Sequence, residues 1–129
     1  MEDLYENTNV NELKFKDFDL TEKNKYKILN KEYNNKNGII IFYAPWCSHC
    51  QDMVNYWDNI AINLKNIYPI CAVNTDDFKN RNNMLMSFFN IRHFPTIKEF
   101  NKENIISKNE LNVSKDSLTN YIWSKVYSK

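Results

Sequence analysis

Ile39-Ile40-Ile41-Phe42-Tyr43-Ala44-Pro45-Trp46-Cys47-Ser48-His49-Cys50 is the stretch that decides the fold. Its first five residues form an unbroken β-branched and aromatic run. Such runs suit a strand covered on both faces, as at the centre of an α/β sheet. Pro45 stops the run, because proline has no N–H to give a ladder. From Cys50 the period changes. Met53, Val54, Trp57, Ile60, Ala61 and Leu64 recur at spacings of three and four, with Asp52, Asn55, Asn59 and Asn63 on the other side. That is one apolar face of a helix. A Cys-x-x-Cys pair therefore stands where a strand hands over to a helix.

The spacing sets what the pair can do. Two cysteines separated by two residues in a first helical turn can reach disulfide geometry, with Cα atoms about 5.5 Å apart. Cys47 would sit at the helix N-terminus, where unpaired N–H groups favour an anion. A thiolate is the nucleophile of disulfide exchange, and such placement lowers a thiol's pKa below its free value of about 8.5. Cys50, one turn in, would be more covered and would attack a mixed disulfide from within. His49, if protonated, would stabilise the Cys47 thiolate further and make the disulfide a better oxidant. A zinc site would need four ligands, and only Cys71, His49 and His93 remain, in scattered places. A c-type haem site would need His directly after the second Cys, where Gln51 stands. No metal and no cofactor are expected.

Outward from the motif, Leu13 to Phe18 alternates apolar and polar, which suits a half-buried strand. Tyr26 to Leu29 fits a short strand or a helical turn. Asn37-Gly38 is turn chemistry. Ile70 to Val73 reads as a strand, and Asp76 or Asp77 as the cap of a helix from about Lys79 to Asn90 with Met84, Leu85, Phe88 and Phe89 inward. Pro95 opens a strand to Phe100, Ile105-Ile106 continues the sheet, and Ser114 caps a last helix with Leu118, Tyr121, Ile122 and Val126 as its buried stripe. The result is an α/β domain with a mixed sheet. Cys71, inside an apolar run, reads as a buried core thiol.

The bulk properties agree with one globular domain. The chain has 129 residues, 43% of them hydrophobic and 15% aromatic, and a formal net charge of +1 from 17 basic and 16 acidic groups. Near-neutrality gives no reason to expect a nucleic acid or an anionic membrane as partner. Met1 to about residue 12 is polar and reads as a flexible leader, with the domain proper at 13–127. It lacks a basic start followed by an apolar run, so no secretory signal is expected. Val126-Tyr127-Ser128-Lys129 is not a retention tail. The expected setting is soluble and cytoplasmic, or a virion if the source is a large virus. Asn and Lys are abundant and Gly occurs once, a bias that points to AT-rich coding.

The stretch from Phe42 to Cys50 resembles the motif of protein disulfide isomerase domains in the thioredoxin superfamily, with Ser48 where Gly is usual. Ile91-Arg92-His93-Phe94-Pro95-Thr96 resembles the superfamily's second hallmark, a loop whose cis-proline faces the active site. The resemblance implies a thioredoxin-like fold, a central mixed sheet with helices on both faces. It implies that Cys47 attacks, Cys50 resolves, and Ser48 and His49 tune the pair. Trp46 would form an apolar shelf, and Pro95 and the backbone of Phe94 would receive an extended substrate strand. The implied activity is thiol–disulfide exchange on protein substrates by a monomer. A sulfhydryl oxidase would partner an oxidising role, and thioredoxin reductase or glutathione a reducing one. A peptide-binding module with little turnover is the alternative. Ile41 stands where the family usually carries a buried carboxylate, Asn55 where it carries a helix proline, and Gln51 where it often carries Lys. Slower turnover is expected on that account.

Overall fold

The computed structural model describes residues 2–127. Seven strands appear in chain order: β1 (Asn11–Glu12), β2 (Phe18–Asp19), β3 (Lys27–Ile28), β4 (Gly38–Tyr43), β5 (Ile70–Asn74), β6 (Thr96–Phe100) and β7 (Ile106–Leu111). Four α-helices accompany them: α1 (Ser48–Asp52), α2 (Val54–Asn63), α3 (Leu85–Phe88) and α4 (Lys115–Tyr127). Five strands form one sheet in the order β1-β5-β4-β6-β7, and β2 and β3 form a separate ribbon. β4 runs parallel to β5 and antiparallel to β6, so the sheet is mixed and β4 is its centre.

The unbroken apolar run is a central strand because both of its faces are covered. Every residue of β4 is buried. Ile39, Ile41 and Tyr43 point to one face, against Trp57, Ile60 and Ala61 of α2 and Leu118 and Ile122 of α4. Ile40 and Phe42 point to the other, against Leu85 of α3, Phe89 and the ribbon residues Phe18 and Ile28. Gly38 begins the strand for want of room. A Cβ there would lie 2.3 Å from Phe100 Cζ and 2.6 Å from the Pro69 carbonyl oxygen.

Several elements differ from the expectations. The residues read as a flexible leader are packed: Tyr5 and Val10 are buried in the core. Asn11 and Glu12 pair in parallel with Cys71 and Ala72. The polar residues of this segment find partners, such as Asn9 with Asp58 and Asp3 with Lys14 and Asn74, so its polarity does not keep it in solvent. Met1 lies outside the described residues. The strand expected over Leu13 to Phe18 is a short 3₁₀ turn at Phe15–Asp17 flanked by two-residue strands. Tyr26 to Leu29 contributes a strand, β3.

The helix expected over Lys79 to Asn90 shrinks to a 3₁₀ turn, Asn82–Met84, and the single turn α3. Its would-be start is broken by Arg81 in the left-handed region at φ 64°. Asp77 Oδ1 accepts the Asn80 N–H, closing a turn rather than capping a helix. Asn82 is wholly buried and pinned: its amide donates to the Leu13 and Asn74 carbonyls and accepts the Phe15 N–H. Leu85 and Phe89 face inward, but Met84 and Phe88 are exposed.

Asparagine has a structural use in a chain so poor in glycine. Asn7, Asn24, Asn35, Asn66, Asn90 and Asn104 all take positive φ. Asn is the non-glycine residue best able to enter that region.

Candidate redox site

The site lies at the C-terminal end of β4. Ala44 and Pro45 end the strand, and Cys47 is the residue immediately before α1, extended at φ −80°, ψ 119°. The Cys47 N–H donates to the Ala44 carbonyl, and the Gln51 N–H returns to the Cys47 carbonyl, so a tight turn feeds the helix directly. The Gln51 side-chain amide clamps the same turn through the Pro45 carbonyl at 2.7 Å. Cys47 is half-buried and Cys50 buried, and both are free thiols.

The two sulfurs differ because their surroundings differ. Burial pushes the Cys50 thiol up to about 12, and the hydrogen bond and charge of Cys47 add to the rise. Water is displaced around Cys50, so its charged form is disfavoured. It belongs to the buried cluster that also holds Ile41, Tyr43, Met53 and Tyr5. Cys47 instead opens toward the second hallmark loop. Its sulfur lies 3.8 Å from the Phe94 carbonyl oxygen, within reach of a weak S–H donor.

The Phe94–Pro95 peptide bond is cis. Phe94 is half-buried and Pro95 buried. Trp46 is 59% exposed and meets the Phe94 ring edge-on, centroids 5.8 Å apart. These two rings form an apolar surface beside Cys47. Ser48 and His49 are exposed on the first turn of α1. His49 borders an open cleft with Asp52, Met53 and residues 112–116. The structure thus brings Trp46, Cys47, Cys50, Phe94 and Pro95 together, with Ser48 and His49 on the outward side.

His93 instead meets Glu110, its Nε2 3.0 Å from Glu110 Oε1. Cys71 is wholly buried on the opposite face of the sheet, and burial pushes its thiol up to about 12. Trp57 and Trp123 serve packing. Among the described residues, no group of three or more His, Cys, Asp or Glu is placed to hold a metal ion.

The sequence reading missed three residues beside the site. Glu12 on β1, Tyr43 on β4 and Tyr5 form a cluster. The Tyr43 hydroxyl donates to Glu12 Oε2 at 2.5 Å, and the Tyr5 N–H donates to the same oxygen at 3.2 Å. No local signal marks Glu12, because its partner Tyr43 lies 31 positions further on.

Fold and site define a class: an α/β domain with a half-exposed thiol over a buried one, at a strand-to-helix junction facing a cis X–Pro loop. The Thioredoxin family model matches residues 16–124, and the chain belongs to the thioredoxin family. It is 38% identical over 68 residues to protein disulfide-isomerase like 2-2 of Arabidopsis thaliana, covering 51% of this chain and 14% of that protein. It is 30% identical over 104 residues to protein disulfide-isomerase MPD1 of Saccharomyces cerevisiae, covering 79% of this chain and 32% of that one. The chain thus spans at most about a third of these relatives' length. Among solved structures, spinach chloroplast thioredoxin f (short form) matches with a TM-score of 0.68 at 19% identity, covering 97% of this chain and 98% of that one. The J-Trx1 fragment of ERdj5 matches with a TM-score of 0.68 at 23% identity, covering 97% and 56%.

Proposed function

We propose that this domain is a protein thiol–disulfide oxidoreductase working through Cys47-Ser48-His49-Cys50. The observation that carries the reading is the asymmetry of the pair: Cys47 half-exposed beside the Phe94–Pro95 loop, Cys50 buried beneath it. The Cys47 thiolate attacks one sulfur of a substrate disulfide, the S–S bond breaks, and the distal sulfur leaves as a thiolate that takes a proton from solvent. Cys50 then attacks Cys47 in the mixed disulfide. The Cys47–Cys50 bond forms, the second substrate thiol leaves, and the substrate has gained the two electrons the protein lost. Run backward, the same steps oxidise a dithiol. The Trp46–Phe94 surface holds the apolar part of an extended substrate, and main-chain pairing at Phe94 gives broad sequence tolerance.

The family membership and the isomerase-like relatives support this activity, and protein disulfides or dithiols as its substrates. The electron partner follows from the potential of the pair. About −270 mV calls for a thioredoxin reductase or glutathione, and about −180 mV for an oxidase. The test is turnover of a disulfide-containing protein, with trapping. Cys50→Ser should accumulate a mixed disulfide through Cys47, and Cys47→Ser should capture nothing. Capture of substrate that survives Cys47→Ser would replace this reading with that of a peptide-binding module.

A further inference from the structure

One half-buried acid near the thiols, Glu12, has no part in the steps above. Glu12 accepts from the Tyr43 hydroxyl and the Tyr5 N–H through a single oxygen, Oε2. Its other oxygen, Oε1, is shielded from solvent and has no hydrogen-bond partner among the described residues. A shielded carboxylate oxygen left bare is costly to keep for structure alone.

The sheet register says where this carboxyl points. Glu12 pairs with Ala72, and Ala72 pairs with Ile41. The three form one row across β1, β5 and β4, and residues in a row share a face. Ile41 and Ala72 face the cluster that contains Cys50, so Glu12 stands two strands away, about 10 Å, on the Cys50 side of the sheet. Tyr5 lies close to both groups. It is 2% exposed, lies in the same cluster as Cys50, and meets the Tyr43 ring edge-on at 5.4 Å. Its phenol feels the charge of both Cys50 and Glu12.

We propose that Glu12, held by the Tyr43 hydroxyl and the Tyr5 N–H on the Cys50 side of the sheet, receives the proton that Cys50 must lose before it can resolve the mixed disulfide. The inference rests on the oxidoreductase reading. Glu12 is a positioning residue, since it does not touch the reacting sulfurs. The proton leaves Cys50 Sγ, and its electron pair forms the bond to Cys47 Sγ. The Cys47–substrate bond breaks, and the departing thiolate takes a proton from water. Glu12 returns its proton to solvent through the open cleft that it lines with Asp3, Glu6, Lys14 and Asp77.

The charges around Glu12 suit a group that changes state near neutrality. Burial raises its carboxyl and the Asp3 charge adds to the rise, while the bonds from Tyr43 and Tyr5 and the charge of Lys14 pull it back, leaving it at about 7. Lys14 is itself held by Asp3 and Asp77 at 2.8 and 3.1 Å. Facing Cys50 are Cys47 and Tyr5.

The test uses the reduced protein and 5,5′-dithiobis(2-nitrobenzoate) in stopped flow, read by the released aryl thiolate. The first phase reports attack by Cys47, the second resolution by Cys50. In the wild type the second phase should rise with pH through an inflection near 7, the value expected for Glu12. Glu12→Gln should lose that inflection and slow the second phase at pH 8 by about tenfold or more, with the first phase unchanged. Tyr43→Phe removes a bond that favours the Glu12 carboxylate, so it should move the inflection to higher pH; it serves if Glu12→Gln fails to fold. A second phase in either variant with the wild-type rate and profile overturns the proposal and leaves the oxidoreductase reading standing. A wild-type protein with no second phase at all overturns both.

Discussion

Glu12→Gln also makes a stability prediction that needs no substrate. The carboxyl is raised from 4.5 to about 7 in the folded state. A group whose folded pKa lies above its unfolded one binds more protons folded than unfolded between the two values. Stability then falls as pH rises across that window. The shift is about 2.5 units at about 1.36 kcal/mol each, so Glu12 withdraws about 3 kcal/mol between pH 4 and pH 8. Glutamine keeps the shape and an acceptor for Tyr43 and Tyr5 but carries no charge. The stability difference between Glu12→Gln and wild type should therefore grow by about 3 kcal/mol from pH 4 to pH 8, in favour of the variant. In urea, with a slope of about 1.5 kcal/mol/M, that is about 2 M in the midpoint. Asp77 does not blur the reading. Its carboxyl is held low by Asn80 and Lys14, so its contribution is lost only as pH falls below the window. A difference between the two proteins that stays flat from pH 4 to pH 8 would refute the burial and bonding assigned to Glu12.

Two more outcomes follow from the packing. Gly38→Ala should destabilise by about 3 kcal/mol or more, at or beyond the upper end of overpacking costs. The added carbon meets a backbone oxygen and the ring of Phe100, which is 0% exposed and stacked on Tyr33 at 5.8 Å; thermal unfolding measures it, and a loss under 1 kcal/mol would contradict the contact. In the folded, reduced protein, iodoacetamide at pH 7 should label Cys47 alone, with Cys50 and Cys71 reacting only after denaturation, because burial pushes both of those thiols up to about 12; mass mapping of the labelled cysteines checks it.

How much of this was legible in the sequence depends on how local each signal is. The β4 run and the α2 stripe were readable because each states its own environment over many consecutive residues. The Cys47–Cys50 pairing was readable because helical spacing alone brings the two together. The meeting of Cys47 with Phe94 was not. The residues are 47 positions apart, no periodicity links them, and only resemblance placed the loop. β1 escaped because a two-residue strand has no period, and its burial depends on Tyr5 and Val10 finding the sheet. The region 79–90 misled because apolar spacing suggested a helix, while a buried Asn82 and a left-handed Arg81 impose turns. Glu12 escaped because the register of two parallel strand pairs, not its neighbours in sequence, sets its face.

In the proposed reaction, the asymmetry of the two thiols also sets the order of events. Burial holds the Cys50 thiol well above its ordinary value, so Cys50 stays protonated at pH 7. Such a sulfur does not compete with Cys47 for substrate. Part of that height, however, comes from Cys47 itself, through its hydrogen bond and its charge. Once Cys47 is joined to a substrate sulfur it has neither a proton to share nor a charge to repel with. Both contributions vanish, and burial alone remains to be overcome. Attack by Cys47 thus lowers the barrier to the ionisation of Cys50 that the next step requires, and a proton acceptor is needed at that moment and not before. A carboxyl on the Cys50 side of the sheet, with one oxygen unpartnered and a cleft open to water, is suited to take that proton.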